Sequence, residues 1–492
     1  MNSLLAIFEW STLLEYWPHL LGGALATGLS LGSSAHAVLN KRDTRAAIAW
    51  VGVIWLAPVL GSLLYGWLGI NRIRRRARHL RRDQLTSVRA LAGKPSGEPS
   101  IETILGPQSA HLHELVRMAG ALTKRPLLEG NKVEPLVGAQ EAYPAMLTAI
   151  GQAQQSITLA SYIFNNDPTG QQFVAALAAA VKRGVEVRVL IDDIGARYTW
   201  PSILRSLRGA GVPVALFLPA LVPVWSAYSN LRSHRKIVVV DGRIGFTGGM
   251  NIRQSAEGNG DGKHLLEDIH FRFQGPVVAH LQHVFADDWE FTTDEPLTGA
   301  LWFPPLESQG PVAARGISDG PDEDFDKLRL MLLGAIACAQ SSIRIVTPYF
   351  LPDSSLITSL DVAVMRGVQV DILLPEQNNL SLVQWASTAL LWQLLSYDCR
   401  VWLTPPPFDH TKLMLVDDAW ALVGSGNWDP RSLRLNFEFN VECYDRALTG
   451  RLSEIVQEKI ARSRRVTLAE VDGRPLPIKL RDGVARLFSP YL

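Results

Sequence analysis

The residues best suited to chemistry occur in a His-x-Lys-x4-Asp motif that the chain contains twice. Each copy carries one histidine, one lysine and one aspartate at the same offsets: His234, Lys236 and Asp241 in the first, and His410, Lys412 and Asp417 in the second. Both copies run into a glycine turn ending in an asparagine, Asn251 or Asn427, which stands 17 positions after the histidine. A single His-x-Lys is a weak signal, but two copies with identical offsets indicate a functional repeat.

Strand geometry divides each motif between two faces. Side chains alternate along a strand, so the histidine and lysine share one face and the aspartate points to the other. We therefore expect Asp241 and Asp417 to orient backbone or hold a neighbouring element rather than touch substrate. Two His/Lys pairs brought together would form a site suited to a phosphodiester substrate. The ammonium groups neutralise the non-bridging oxygens, one imidazole attacks phosphorus, and the other protonates the leaving alkoxide.

The remaining polar residues favour a site without a metal. The asparagine amides can donate further hydrogen bonds to phosphate oxygens. A metal site built on the histidines is a weaker interpretation, because the adjacent lysine would repel the cation. The three cysteines are odd in number and far apart in the sequence, which excludes a disulfide scaffold and a cysteine zinc site. We expect neither a metal nor another cofactor.

The elements that position the motifs are also repeated. A β-rich run begins at Ser156 in one half and at Ser342 in the other, and a helical stretch and a second strand follow each. Gly184 and Gly367 stand where these helices would end. Strand, helix and strand at this spacing predict a βαβ crossover, hence a parallel sheet with helices on its faces. The sequence thus predicts an α/β fold of two duplicated halves.

Breaks rich in polar residues, proline and glycine predict five segments. These are a membrane hairpin with a basic run (1–82), a linker (83–125), the first half (126–300), a second linker (301–322) and the second half (323–492). A hydrophobic content of 47% and a charged content of 19% indicate a folded protein. The net charge of +1 gives no global attraction to nucleic acid.

The N-terminal segment predicts two transmembrane helices, over about 17–39 and 46–70. Two stretches of 25 and 26 residues there contain no Asp, Glu, Lys or Arg, and about 20 apolar residues suffice to cross the hydrocarbon core. Seven arginines follow within 72–82, against three basic residues in the loop between the helices. Positive-inside counting therefore places the catalytic portion in the cytoplasm, with the arginine run beside anionic headgroups.

The two motifs and their surroundings resemble the phospholipase D superfamily and, within it, the bacterial cardiolipin synthases. The similarity is carried by the runs 233–252, 347–352 and 424–440, together with the N-terminal hairpin. It implies two tandem phospholipase D-like α/β sandwich halves related by pseudo-two-fold symmetry. It also implies a multi-pass enzyme of the bacterial inner membrane that joins two phosphatidylglycerol molecules into cardiolipin and glycerol. The transfer would pass through a phosphatidyl-histidine intermediate.

The resemblance also assigns roles within the motifs. By analogy with the family, His234 is the nucleophile and His410 the general acid, although the symmetry leaves the reverse open. In the family a downstream carboxylate steadies each histidine, and Glu438 matches that position in the second half. In the first half Asp268 matches by alignment, with Glu267 as the alternative, because the family's usual Arg-Asp-Thr-His run reads Leu-Glu-Asp-Ile-His here.

The glycine turns complete the predicted phosphate site. Ser425 lies in the second turn, and with Asn251 and Asn427 it is expected to bind or support the phosphate. Two rival activities share the motif: a membrane-bound phospholipase D with another donor or acceptor, and a nucleic-acid phosphodiesterase. The neutral charge and the hairpin argue against the latter. We expect phosphatidylglycerol and anionic membrane lipid as partners, and no nucleic acid.

Overall fold

The structure is a computed structural model, and it describes residues 10–41, 44–70, 100–219, 231–254, 266–321, 324 and 326–489. These residues form two compact units, an N-terminal one before residue 77 and a second that contains both motifs. The predicted arginine run and the first part of the predicted linker, up to residue 99, lie outside the described residues.

The N-terminal unit consists of helices. Their bounds are Trp10–Asn40, Thr44–Leu56, Pro58–Leu64 and a π-helical turn, Tyr65–Gly69. The second predicted helix is interrupted before Pro58, because proline lacks an N–H and begins a helix more readily than it continues one. Tyr65 is buried, with its hydroxyl 2.7 Å from Nδ1 of His36 and its ring edge-on to Trp50. None of the helices in the described part of the chain is long and apolar enough to span a bilayer.

The second unit is organised around β-strands, numbered here in chain order. Their bounds are β1 Leu128–Val137, β2 Ser156–Ser161, β3 Glu186–Asp192, β4 Val214–Phe217, β5 Arg232–Ser233, β6 Ile237–Val240, β7 Ile244–Gly248, β8 Leu266–Glu267, β9 Ile269–Gln274, β10 Val312–Asp319, β11 Ser342–Val346, β12 Gln369–Pro375, β13 Arg400–Thr404, β14 Phe408–Asp409, β15 Leu413–Val416, β16 Trp420–Gly424, β17 Asn436–Tyr444 and β18 Arg464–Val466. Sixteen of them form one sheet, and β14 pairs with β8 in a separate two-stranded sheet.

The strand order gives the large sheet an internal two-fold pattern. Its order is β18-β13-β12-β11-β15-β16-β17-β10-β1-β9-β7-β6-β2-β3-β4, with β5 attached to β17. Outward from the antiparallel pair β10·β1, the two halves repeat the same sequence of antiparallel and parallel pairings, and β18 adds one antiparallel strand at the edge of the second half. The parallel part is the crossover predicted from the sequence, β2·β3·β4 in one half and β11·β12·β13 in the other.

Helices accompany the strands throughout this unit. Their bounds are Ile101–Leu105, His113–Thr123, Ala139–Gln152, Pro168–Lys182, Ile203–Gly209, Val278–Thr293, Lys327–Cys338, Ser354–Met365, Ser381–Thr388, Leu391–Leu395, Pro430–Arg434, Arg446–Ala461, Leu468–Asp472 and Leu476–Leu487, with 3-10 turns at Pro107–Leu112 and Gly195–Arg197. The two crossover helices begin alike, because Asp167 and Asp353 accept hydrogen bonds from backbone N–H groups of the first turn. They also end alike, since Gly184 and Gly367 adopt φ of +87° and +89°.

Both predicted linkers contain elements of the folded unit, which corrects that interpretation. The first, 83–125, is helical from Ile101 on, and its buried Leu112 and Leu115 join the core of the second half. The second, 301–322, contains β10, which is buried along its whole length at the centre of the sheet. Proline and glycine mark the loops of these segments. The apolar residues between the loops are buried in the core, and this burial stabilises the segments as part of the folded unit.

Candidate active site

The two motifs bring four charged or titratable side chains into the interior. His234 lies between β5 and β6 and His410 between β14 and β15, and Lys236 and Lys412 directly precede the second strand of each pair. All four are buried, the most accessible being His234 at 9% exposed. Each lysine Nζ donates a hydrogen bond to the carbonyl of the histidine two residues before it. The ammonium group is thereby fixed beside its own motif.

Each motif is anchored to the opposite half of the protein. The short strand β5, before His234, pairs in parallel with β17, and the His234 N–H donates to the carbonyl of Phe437 at 2.9 Å. Likewise β14, before His410, pairs in parallel with β8, and the His410 N–H donates to the carbonyl of Glu267 at 2.7 Å. The two halves thus exchange strands around the site.

Because of this exchange, each histidine is paired with a carboxylate of the other half. Glu438 of the second half lies 3.0 Å from Nδ1 of His234, and Asp268 of the first half lies 2.9 Å from Nδ1 of His410. The prediction that each carboxylate supports the histidine of its own half is therefore wrong. Glu267, the alternative to Asp268, contacts Lys459 and Arg462 on the helix Arg446–Ala461 and its end, not an imidazole.

The crossed pairs fix the orientation of both imidazoles. An ionised carboxylate can only accept, so the imidazole of His234, bound to Glu438 through Nδ1, carries its proton there and leaves Nε2 with a lone pair. His234 has a second acceptor at Nδ1, since the carbonyl of Ser425 lies 3.2 Å away. Nε2 is therefore the atom of each ring that remains for chemistry.

The two carboxylates differ in their surroundings. Besides His234, Glu438 accepts hydrogen bonds from the hydroxyls of Ser425 and Ser432 at 2.5 and 2.8 Å and from the amide of Asn436 at 3.3 Å. Burial raises the pKa of the Glu438 carboxyl, but the charges of His234 and Lys236 and the hydrogen bonds from His234 and Ser425 outweigh it, and the pKa falls below its usual value. Glu438 therefore stays ionised at neutral pH.

Asp268 has fewer donors around it. It accepts from its own neighbour, the Ile269 N–H, at 2.9 Å, and from His410. Burial raises its pKa to about 7, against the opposing charge of Lys412. The Asp268–His410 pair can therefore hold a proton near neutral pH, whereas the Glu438–His234 pair has its carboxylate ionised.

Burial also lowers the proton affinity of the basic groups. It is the main cause that lowers the pKa of Lys236 to about 7 and that of Lys412 to about 8. It also lowers the pKa of both histidines, most strongly that of His410, to which the charges of both lysines and of His234 contribute. The mutual influence shows that the four groups share one electrostatic site. Such a cluster of positive groups favours an anion.

The glycine turns lie against this site. Asn251 and Asn427 are buried, and Oδ1 of Asn251 accepts from the Ile163 N–H at 3.2 Å, which directs its amide nitrogen elsewhere as a donor. Ser425 supports Glu438, because its hydroxyl donates a hydrogen bond to that carboxylate. Gly249 takes the position of Ser425 in the first half, where any Cβ would collide with the Asp268 carboxylate.

Asp241 and Asp417 hold backbone, in agreement with their position on the opposite face. Asp241 accepts from the N–H groups of residues 154–156 at 2.7–3.1 Å, and Asp417 from those of residues 340–342 at 2.7–2.9 Å. Asp417 also contacts Nε2 of His111 at 2.8 Å. Each aspartate thus fastens the start of the inner strand, β2 or β11, to the turn after its own motif.

Two tyrosines and an arginine that the motifs did not reveal also border the site. The Tyr162 ring meets the His234 ring edge-on at 5.3 Å, and the Tyr349 ring meets that of His410 at 6.3 Å. Arg253 follows the first glycine turn, and its charge lowers the pKa of His410. The tyrosines could have been found from the sequence, because Tyr162 and Tyr349 lie within three residues of the ends of the corresponding strands β2 and β11.

Comparisons with known proteins agree with this arrangement. Residues 146–289 and 332–460 match the family described as "Cardiolipin synthase, PLD-like domain". The chain is 32% identical over 470 residues to the "Major cardiolipin synthase ClsA" of Bacillus subtilis, covering 92% of this chain and 95% of that one. It is also 32% identical over 486 residues to "Cardiolipin synthase 1" of Staphylococcus epidermidis, covering 96% and 99%.

A solved structure shares the fold at lower sequence identity. The phosphatidylserine synthase of Haemophilus influenzae Rd KW20 superposes with a TM-score of 0.60 at 16% identity, covering 77% of this chain and all of that one. The likeness shows that the two proteins share a fold.

Proposed function

This chain belongs to the cardiolipin synthase family of phospholipase D-like phosphatidyltransferases, and we propose that it joins two phosphatidylglycerol molecules into cardiolipin and glycerol. The observation that carries the proposal is the crossed arrangement of the site. Two imidazoles, each held at Nδ1 by a buried carboxylate of the other half, share one cluster with two buried lysines. Transfer at a phosphodiester needs a nucleophile, a general acid and positive charge beside the non-bridging oxygens, and this cluster supplies them.

In the first step, Nε2 of His234 attacks the phosphorus of one phosphatidylglycerol. A phosphorus–nitrogen bond forms, the bond from phosphorus to the glycerol oxygen breaks, and His410 delivers a proton to the departing alkoxide. Lys236 and Lys412 neutralise the charge on the non-bridging oxygens. In the second step His410 removes a proton from a hydroxyl of the second phosphatidylglycerol. That oxygen attacks phosphorus, and the electron pair of the phosphorus–nitrogen bond returns to Nε2 of His234.

The unequal carboxylates support this assignment of the two histidines. A nucleophilic imidazole becomes positively charged when it bonds to phosphorus, and the ionised Glu438 compensates that charge at Nδ1. A general acid needs a proton at neutral pH, and the raised pKa of Asp268 keeps one available to the Asp268–His410 pair. The negative phosphate then raises the proton affinity of His410 when substrate binds.

We also propose that the N-terminal unit is the membrane hairpin expected from the sequence, with the catalytic unit in the cytoplasm. The helix Trp10–Asn40 and the two that follow it carry exposed leucines and isoleucines along their length, including Leu25, Leu39, Ile48 and Leu56. Lipid chains would cover such a surface. Protease access in oriented vesicles measures the sidedness.

The direct test of the function is incubation of the purified protein with phosphatidylglycerol labelled in its glycerol headgroup and in its acyl chains. We expect acyl label in cardiolipin and headgroup label in both cardiolipin and free glycerol, and we expect excess glycerol to drive the reaction backwards. Phosphatidic acid as the main product would instead identify a hydrolytic phospholipase D.

A further inference from the structure

The C-terminal helix Leu476–Leu487 presents an apolar stripe to the surface. Successive residues of a helix are about 100° apart, which places Leu476, Leu480, Val484 and Leu487 within about 80° of its circumference. These four side chains and Phe488, directly after the helix, are 53–76% exposed. Single exposed leucines are ordinary, but a continuous stripe of large apolar side chains indicates a contact surface.

The stripe is held in place by the opposite face of the same helix. Ala485 is buried in the core of the second half, and the buried Asp482 forms ion pairs with Arg474 and Arg481. The Arg481 guanidinium lies 4.4 Å from the centre of the Trp385 ring on the helix Ser381–Thr388. A helix fixed along one side in this way exposes its other side as part of the fold.

The charges around the stripe are positive. Lys479 and Arg486 are exposed on one side of it and Arg481 on the other. Asp482 is the only acidic residue in the helix, and its burial between arginines removes it from the surface. An apolar stripe with basic residues on both sides fits the boundary between anionic headgroups and acyl chains.

We propose that this helix is a second membrane contact, which lies in the surface of a bilayer that contains anionic phospholipid. Its apolar side chains enter the acyl boundary, and Lys479 and Arg486 pair with headgroup phosphates. The proposal rests on the proposed function in one respect, namely that phosphatidylglycerol is the lipid that both the helix and the site meet.

The helix is connected to the active site through its neighbour. Leu380 and Leu382, at the start of the helix Ser381–Thr388 against which it packs, are 49% and 48% exposed. Between that start and the site, the Tyr349 hydroxyl donates to Oδ1 of Asn379 at 2.9 Å, and the Tyr349 ring adjoins His410. A bilayer against the C-terminal helix therefore lies beside the part of the molecule that carries the second imidazole.

The test places an environment-sensitive fluorophore on Leu480→Cys in the full chain. Cys338, the partly accessible cysteine, is replaced by serine so that the two buried cysteines alone remain. The protein is reconstituted in vesicles that contain a phosphatidylcholine nitroxide-labelled near the headgroup, with or without phosphatidylglycerol. Lys182→Cys is the matched control, since Lys182 is exposed at the end of the crossover helix remote from Tyr162.

We expect about twofold or greater quenching at position 480 in phosphatidylglycerol vesicles, weaker quenching in pure phosphatidylcholine, and little at the control position. We also expect Leu480→Glu with Leu487→Glu to raise, about tenfold, the surface fraction of phosphatidylglycerol needed for half-maximal rate. Absence of quenching while cardiolipin is still formed would overturn the proposal. So would shielding that depends on protein concentration, because a second protein copy would then cover the stripe. Quenching without any cardiolipin formation would refute the proposed function and leave the membrane contact standing.

Discussion

The crossed carboxylates predict that Glu438→Gln slows the chemistry performed by His234. The substitution keeps the volume of a completely buried side chain and removes its charge. Ser425, Ser432 and Asn436 each keep a possible partner in the new amide, so the main loss is the charge beside Nδ1 of His234. The fold should therefore persist while the imidazole loses its support.

The size of the effect follows from the hydrogen bond that changes. A hydrogen bond to a charged group contributes about 1.5–3 kcal/mol, and each 1.4 kcal/mol corresponds to about a tenfold change in rate. The phosphatidyl-imidazolium carries the positive charge that Glu438 compensates. We therefore expect the turnover number to fall about 10- to 150-fold. The measurement is the initial rate of cardiolipin formation in mixed micelles saturated with phosphatidylglycerol.

The pH profile supplies a second and independent readout. The charge of Glu438 raises the pKa of His234 against the lowering caused by burial. Its removal lowers the pKa of His234 further, so the neutral, nucleophilic ring persists to more acidic pH. The acidic limb of kcat/KM, which reports the free enzyme, should move to lower pH even as its plateau falls.

Glu267→Gln is the matched control for this prediction. Glu267 is also a carboxylate on the exchanged strands, but it binds the cations Lys459 and Arg462 near the surface. Its replacement should leave turnover within about twofold, because partly exposed ion pairs contribute little. A folded Glu438→Gln protein with normal turnover, or an equal loss from Glu267→Gln, would refute the crossed assignment.

The remaining predictions concern the other members of the site. His234→Ala and His410→Ala should each abolish cardiolipin formation with little change in melting temperature, because both steps of the transfer need both imidazoles; residual transfer above a few per cent would contradict the two-histidine mechanism. Burial lowers the pKa of Lys236 and Lys412 to about 7 and about 8. The value of kcat/KM should therefore fall as the pH rises through this range, because the amines lose their charge. A flat alkaline profile up to pH 9 would show that neither charge binds the phosphate. Asp417→Asn should lower the free energy of unfolding by about 2 kcal/mol, through weaker bonds to three backbone N–H groups, while turnover at low temperature survives; normal melting with lost activity would place this carboxylate in the chemistry.

The sequence alone determined the contents of the site. Two copies of His-x-Lys-x4-Asp at equal distances from an asparagine predicted the repeat, and the alternation of side chains separated Asp241 and Asp417 from the chemical face. The same local regularity predicted the crossover in each half, because the spacing of strand, helix and strand and the glycine that ends each helix are local features of the sequence. The membrane hairpin stays a prediction of the same kind, based on the absence of charge along the chain.

The tertiary structure alone decided which carboxylate serves which histidine. The family resemblance identified Glu438 and Asp268 as the supporting carboxylates, but it assigned each to the histidine of its own half. They are in fact exchanged, because β5 pairs with β17 and β14 with β8 across the two-fold pattern. The unequal proton affinities of the two carboxylates were hidden in the same way. They arise from burial and from the different donors around the two carboxylates. Ser425, Ser432 and Asn436 lie within 13 residues of Glu438, but only the folded chain turns them toward it, whereas Asp268 accepts from Ile269 and His410.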